Sequence, residues 1–370
     1  MDLLRYYLRK VYAIFKGEVF VLPSRIAVFV FVLTMLLLPV VVRDPYVQRI
    51  VIVTSIFAIY AASWDLLSGF TGQINFGHAL FFGVGAYGAA LINRYLGWPP
   101  WVTIPLGAIV AVLAGLVVGI PCLRLRGTYL ALTTLAFPII LSGLIFTIPD
   151  VTGGEMGISG LARLAMSRMA NYYIVIVTML VLVAVMWKIT DSNIGIIFHA
   201  IREDELAVKA AGINTTLYKL LAFSLSGFFA GVSGGLYAHF LRIAGPSTLE
   251  VGMSFQVVIW AVFGGMATIW GPVAAVYLLS FILEFFNLFP GIHESLMSLI
   301  ASIFGEGAGY AVEEFPRELI FAFVVLITLL YMPGGLFPWI RNKLENECPR
   351  CKIRNGATRR TCRVCAAQIH

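Results

Sequence analysis

Residues 26–42 read IAVFVFVLTMLLLPVVV, a run without a single charge. Coiled as a helix at about 1.5 Å per residue, such a run approaches the roughly 30 Å of a bilayer's hydrocarbon core. Segments of the same character recur at about 50–67, 77–93, 101–121, 128–148, 172–188, 217–240, 251–264, 268–289 and 318–332, which makes about ten helical spans. Helices are expected rather than strands, because open sheet edges leave backbone groups unpaired in lipid and no alternating pattern points to a closed barrel. The composition agrees: 60% of the 370 residues are hydrophobic and 12% charged, and mean hydropathy is +0.91. A soluble domain carries roughly 25% charged residues. This chain has too few polar residues to coat a water-facing surface, which excludes an ordinary soluble enzyme, a disordered protein and a fibrous one. The expected fold class is an all-α polytopic membrane protein with a small C-terminal ribbon.

The basic residues orient that fold. Arg43, Arg49, Arg94, Arg163, Arg168, Arg242 and Arg317 fall on one side, and the other nineteen of the 26 Lys and Arg fall on the other. Basic residues gather on the cytoplasmic side of membrane proteins, so both termini are expected there. The first 25 residues carry Arg5, Arg9, Lys10, Lys16 and Arg25 and no apolar core, so no cleavable signal peptide is expected. Three regions follow: a cytoplasmic segment 1–25, a membrane domain 26–340 with a long polar loop at 191–216, and a cytoplasmic tail 341–370. The net charge of +7 is membrane asymmetry on this reading and does not point to nucleic acid.

The spans carry glycine and polar residues that simple anchors lack. Gly227 and Gly231 form a GxxxG pair, read first as close helix packing. The run Gly69-Phe70-Thr71-Gly72-Gln73-Ile74-Asn75-Phe76-Gly77-His78 interrupts two apolar spans. Non-helical backbone at membrane depth is tolerated only against protein or a water cavity, so Gln73, Asn75 and His78 either line a path or cap a short cytoplasmic turn. Asp65 and Glu284 are the acidic residues placed inside spans, and intramembrane carboxylates are candidates for function. Glu284 is expected to face the bundle, and His239 and His293 to be solvated at the outer interface. Cys122 reads as a packed thiol.

The loop 191–216 contains Ile197, Ile201, Val208 and Ala211 at helical spacing, the i,i+4 pair Glu205 and Lys209, and Gly212 as a C-terminal stop. A short amphipathic helix is expected, either resting on lipid or docking a cytoplasmic partner. Its acidic run Glu203-Asp204-Glu205 favours a protein.

The run from Ile201 to Ala238 resembles the coupling-loop region of LivM-type permease subunits of branched-chain amino acid ABC importers. Glu205, Ala207 and Gly212 match that family's coupling motif loosely. Leu206 departs from its first Ala, and the Gly comes one place late. Four further segments resemble the family in order: residues 72–79 with 83–87, 123–129, 133–137 and 263–272. The resemblance implies a permease subunit in a prokaryotic cell membrane, passing leucine, isoleucine or valine. It implies a second, LivH-like permease, two cytoplasmic P-loop ATPases, an extracytoplasmic binding protein, and coupling through Arg202, Glu203, Asp204, Glu205, Ala207, Lys209 and Gly212. The chain has no GxxxxGK[ST] phosphate loop, so no enzymatic activity is expected and ATP would act only through the partners. A urea or short-amide permease stays open, as does a proton- or ion-coupled secondary transporter using Asp65 or Glu284.

The tail departs from that family. Cys348, Cys351, Cys362 and Cys365 form two CxxC pairs with ten residues between them. Four thiolates at that spacing suit a tetrahedral structural Zn²⁺, and a cytoplasmic tail favours metal over disulfides.

Overall fold

A computed structural model describes residues 22–122, 125, 127–288, 325–351, 354–356, 361–362, 364–365 and 368, without the side chains of 285–288. The chain forms two compact units, one of residues 1–48 with 336–370 and one of residues 49–335.

Helices dominate both units. They are α1 (Pro23–Val41), α2 (Pro45–Trp64), α3 (Ala79–Leu96), α4 (Pro100–Cys122), α5 (Thr128–Thr147), α6 (Arg168–Thr190), α7 (Asn193–Glu203), α8 (Glu205–Ala210), α9 (Thr215–Leu241), α10 (Val251–Gly264), α11 (Trp270–Leu288) and α12 (Leu336–Leu344). Residues 325–331 are also helical. Pro23, Pro45 and Pro100 open α1, α2 and α4, where a missing N–H has no helical partner to lose. Among the described residues, six helices are long and apolar enough to cross a membrane: α1, α2 with its extension to Gly69, α4, α5, α6 and α9. α10 and the apolar part of α11 are shorter. The expected segments thus reappear as helices within a few residues. The exception is the last, of which 318–324 lies outside the described residues, as do His293 and the segment 1–21.

The large unit is held by α3, α4 and α9, whose backbones meet through small residues. A Cβ added to Gly85 of α3 would lie 2.5 Å from the Cα of Gly231 on α9. One added to Gly231 would lie 2.8 Å from the Cα of Ala108 on α4. Its GxxxG partner Gly227 accepts the Phe81 ring. Cys122 is buried with Leu80, Val118 and Leu130, a packed thiol as expected. His239 differs from expectation. It is fully buried, bonded to Thr103 Oγ1 at 2.7 Å and to the Ala162 carbonyl at 2.9 Å. The long loop between α5 and α6 folds back over the end of α9, with β1 (Ile158–Ser159) pairing β2 (Ile243–Ala244) antiparallel.

The small unit joins α1 and α12 to a hairpin of β3 (Glu345–Glu347) and β4 (Arg354–Gly356). Glu345 accepts the Ser24 backbone N–H at 3.1 Å, which ties the hairpin to the start of α1.

Two chain reversals break the regular pattern of the large unit. α2 passes into a π-helical turn, Asp65–Gly69, and after helical Phe70 and Thr71 the backbone is non-helical from Gly72 until just before α3. α9 ends at Arg242 (φ 63°), and the chain re-enters through a 3₁₀ turn, Pro246–Leu249, to start the 14-residue α10. At about 1.5 Å per residue α10 is roughly 21 Å long, short of a full crossing.

Substituting Gly231 by Leu should prevent α3, α4 and α9 from closing, at a cost on the order of 3 kcal/mol. Size-exclusion chromatography of the purified variant should show loss of the monodisperse species. An unchanged profile and melting temperature would refute glycine-mediated closure.

Candidate functional site

The polar interruption after α2 is buried rather than a solvated turn. Gln73, Asn75 and His78 are each at most 5% exposed. Ser68 Oγ donates to the Gln73 carbonyl at 2.8 Å, Trp64 Nε1 to the Asn75 carbonyl at 2.7 Å, and the Gly77 N–H to Asn75 Oδ1 at 2.8 Å. His78 Nε2 meets Ser63 Oγ at 2.9 Å. Both side-chain atoms of Gln73, Asn75 Nδ2 and His78 Nδ1 have no partner, an unusual concentration for buried polar groups. The structure therefore brings Gln73, Asn75 and His78 onto one folded segment, while Glu284 sits half-buried on α11.

Asp65 starts the π-helical turn and is fully buried. Its Oδ1 accepts the Ala267 N–H at 2.6 Å, and its Oδ2 accepts the N–H groups of Thr268 at 3.0 Å and Ile269 at 2.9 Å. These three residues form the connection between α10 and α11. Ala267 (φ 60°) and Ile269 (φ 57°) hold left-handed backbone without being glycine. That conformation costs about 1–3 kcal/mol per residue and persists only when the surroundings enforce it. The three bonds to one carboxylate supply that enforcement, since each hydrogen bond to a charged group contributes about 1.5–3 kcal/mol. Gly69 closes the turn because a Cβ there would meet the Asp65 carboxylate and the Ala267 nitrogen, the latter at 2.7 Å.

The loop after α6 folds into two helices rather than one. Ser192 caps α7, accepting the Ile194 N–H. Asp204 leaves helical geometry (φ −152°, ψ 98°) and its side chain accepts the Leu206 and Ala207 N–H groups, starting α8. An Asp that bonds nearby amides competes with helix continuation and favours a cap, which the apolar periodicity alone does not reveal. Gly212 (φ +83°) stops α8 as expected, and Asn214 caps α9 through the Leu217 N–H.

Two contacts fasten this pair to the bundle. Arg202 Nη1 donates to the Gly69 carbonyl at 2.6 Å, and His199 packs on the Phe70 ring at 4.9 Å. Glu205 binds Lys209 Nζ at 2.9 Å and Lys219 Nζ, on α9, at 2.7 Å, and accepts Thr215 Oγ1 at 3.3 Å. Burial alone would raise the Glu205 carboxyl, but the Lys219 and Lys209 ammonium groups outweigh it and bring it down to about 2. Lys219 lies beyond Gly212 and is invisible to helical spacing. The outward face of the pair carries Glu203, Ala207 and Gly212, with Ile196 and Leu206 each 65% exposed. Asp65, Arg202 and Gly69 thus form one chain of contacts from α7 through the π-helical turn to the α10–α11 connection.

In the small unit the Sγ atoms of Cys348, Cys351, Cys362 and Cys365 lie within 4.8 Å of one another. Cys348 and Cys365 are 3.5 Å apart and Cys351 and Cys362 3.4 Å, too far for disulfides and near the roughly 3.8 Å edge implied by about 2.3 Å metal–thiolate bonds. The amides of Cys365 and Val364 pull the Cys362 thiol down to about 6, favouring the thiolate a metal needs. These four cysteines could hold a metal ion.

The family model described as "Branched-chain amino acid transport system / permease component" matches residues 46–331. The permease protein LivM of the high-affinity branched-chain amino acid transport system of Escherichia coli (strain K12) is 27% identical over 335 residues, covering 83% of this chain and 72% of its own. LivM of Salmonella typhimurium is 28% identical over 328 residues, 81% and 72% of the two chains. The probable permease LivH of Methanocaldococcus jannaschii is 24% identical over 304 residues, 77% and 90%. No solved structure matches the chain.

Asp65→Asn turns one carboxylate oxygen into a donor facing backbone N–H groups, and should destabilise the large unit by on the order of 3 kcal/mol. Thermal unfolding in detergent checks this, and an unshifted transition would refute the clamp. Glu205 has a lowered folded pKa, so its contribution is complete above about 4.5 and is lost as pH falls toward about 2. The stability gap between wild type and Glu205→Gln should be present at neutral pH and close across that window. A gap that persists at pH 2 would refute the assignment.

Proposed function

The chain belongs to the family of branched-chain amino acid transport permease components, and from that premise we propose that α7 and α8 are the element by which an ATPase drives this permease subunit. The protein is a multi-pass membrane permease subunit of an ABC importer for branched-chain amino acids. The observation that carries the coupling role is the link from Arg202 to the Gly69 carbonyl. A partner gripping the exposed Ile196 and Leu206 would pull on the π-helical turn, and through Asp65 on the connection between α10 and α11. On this reading α7 and α8 face the cytoplasm, as do both termini, in keeping with the excess of Lys and Arg on that side.

The partners that fit are two cytoplasmic P-loop ATPases, a second, LivH-like permease and an extracytoplasmic binding protein. The relatives are transport permeases, and the chain has no phosphate loop of its own, so it is read as a subunit without enzymatic activity. Gln73, Asn75 and His78 are read as polar groups of the translocation path, supported by their unpartnered buried atoms. A proton-coupled role for Asp65 is less well supported, because three amides already occupy its carboxylate. Residues 341–370 are read as a separate zinc ribbon. The four-sulfur donor set supports Zn²⁺ over Ca²⁺ or Mg²⁺, which take oxygen ligands.

Arg202→Ala and Glu205→Lys should each lower ATP-driven leucine uptake roughly tenfold while the protein still inserts in the membrane, since each removes a charged contact. Uptake at the wild-type rate in both variants would refute the coupling role. The purified chain should carry close to one zinc per molecule by elemental analysis, and the double variant Cys348→Ser, Cys351→Ser none. Absence of zinc from the intact chain would refute the ribbon.

A further inference from the structure

The large unit contains a cavity of about 330 Å³ lined by Tyr237, Ser247, Thr248, Glu250, Met253 and Gln256. That size falls in the range of roughly 300–1,000 Å³ typical of small-molecule sites. It lies at the second chain reversal, where the 3₁₀ turn meets the start of α10. The turn is well inside the bundle. A Cβ on Gly83 would lie 3.2 Å from the Thr248 carbonyl oxygen. α3 continues from Gly83 to Leu96, about 20 Å further. Glu250 follows that turn as an exposed carboxylate on the cavity wall. A carboxylate beside a turn packed within the bundle is costly against lipid and points to water or a ligand.

The chemistry around Glu250 is asymmetric. α10 begins with no side-chain cap; the Met253 N–H turns back to the Glu250 carbonyl at 3.1 Å, and the positive end of the helix dipole at Val251 and Gly252 is open to an anion. Thr248 Oγ1 spends its proton on the Gly245 carbonyl at 2.8 Å, which leaves its lone pairs as acceptors. Acceptors for a cation and donors for an anion thus stand side by side. The apolar wall is Met253 and Tyr237, and the Tyr237 ring is packed by Phe57 at 5.7 Å and Phe82 at 5.3 Å. The start of α3 adjoins the same place: its Ala79 N–H donates to Ser254 Oγ at 3.0 Å, and Tyr60 donates to the Met253 carbonyl at 3.4 Å. Two broken helices thus direct their N-terminal ends toward one depth, the arrangement in which transporters hold anionic substrate groups.

We propose that this cavity holds the head group of the transported α-amino acid, with Glu250 against its ammonium and the open start of α10 against its carboxylate. The proposal rests on the transport role above. The aliphatic side chain of the substrate lies against Tyr237 and Met253. Gln256, one turn into α10, completes the polar side.

The test uses the complete importer with its partner subunits in lipid vesicles and radiolabelled leucine as the probe. Glu250→Gln should slow uptake roughly tenfold or more, because the ammonium loses its charge partner, and Glu250→Asp should recover most of the rate. Gly252, on the same wall, has nothing within 4 Å of an added Cβ. Gly252→Phe should therefore grow into open space and block uptake without disturbing the fold. Co-purification of the partner subunits in normal yield shows that each variant has assembled. Wild-type uptake in both Glu250→Gln and Gly252→Phe overturns the site, as does an Asp variant as slow as the Gln. Absence of leucine uptake by the wild-type importer would instead overturn the transport role, so the two failures are distinct.

Discussion

The carboxylate of Asp65 is the constraint on which the junction of α2, α7 and the α10–α11 connection depends. It is fully buried, and its two oxygens accept three consecutive amides of the α10–α11 connection. Without that charge Ala267 and Ile269 would have no reason to stay in left-handed backbone, and α10 and α11 would lose their fixed relation to α2. The same turn presents the Gly69 carbonyl to Arg202. One π-helical turn thus joins three parts of the chain that are far apart in sequence.

A turn so saturated with hydrogen bonds holds α7, α2 and the α10–α11 connection in one fixed arrangement. On the coupling role proposed above, a flexible loop between α7 and α2 would absorb a displacement that the Arg202–Gly69–Asp65 chain could pass on. The contrast with Gln73, Asn75 and His78 is instructive. Those residues sit on the next stretch of backbone, yet several of their polar atoms have no partner. Satisfied groups hold the scaffold, and unsatisfied groups are available to water or a passing substrate.

Small residues and broken helices serve the same end at membrane depth. Gly85, Gly231 and Ala108 let α3, α4 and α9 approach until their backbones touch. That rigid triplet supports two segments that do not cross the membrane as simple helices, the start of α3 and the 3₁₀ turn before α10. The polar backbone of both is sheltered by protein, the condition under which irregular structure survives in a bilayer.

Much of this was legible in the sequence. Apolar run length located the helices to within a few residues, because the demand to pair every backbone group in lipid leaves a helix as the only economical answer. Gly212 as a stop, Cys122 as a packed thiol and the grouping of four cysteines also followed from local chemistry. Tertiary structure alone decided the rest. The partners of Asp65 lie about two hundred residues away, so its role as a clamp could not be read from Trp64 and Leu66 beside it. His239, placed by sequence at a wet interface, is buried against Thr103 and Ala162, which come from a different helix and a returning loop. Asp204 breaks one expected helix into two because its side chain prefers the amides that follow. Glu250 carries no signal in the sequence, and only the 3₁₀ turn before α10 brings it to a cavity wall beside Tyr237 and Met253. Sequence determines which residues must be helical and buried; the fold determines which distant groups meet, because hydrogen bonds and cavities form across space between segments whose spacing carries no local signal.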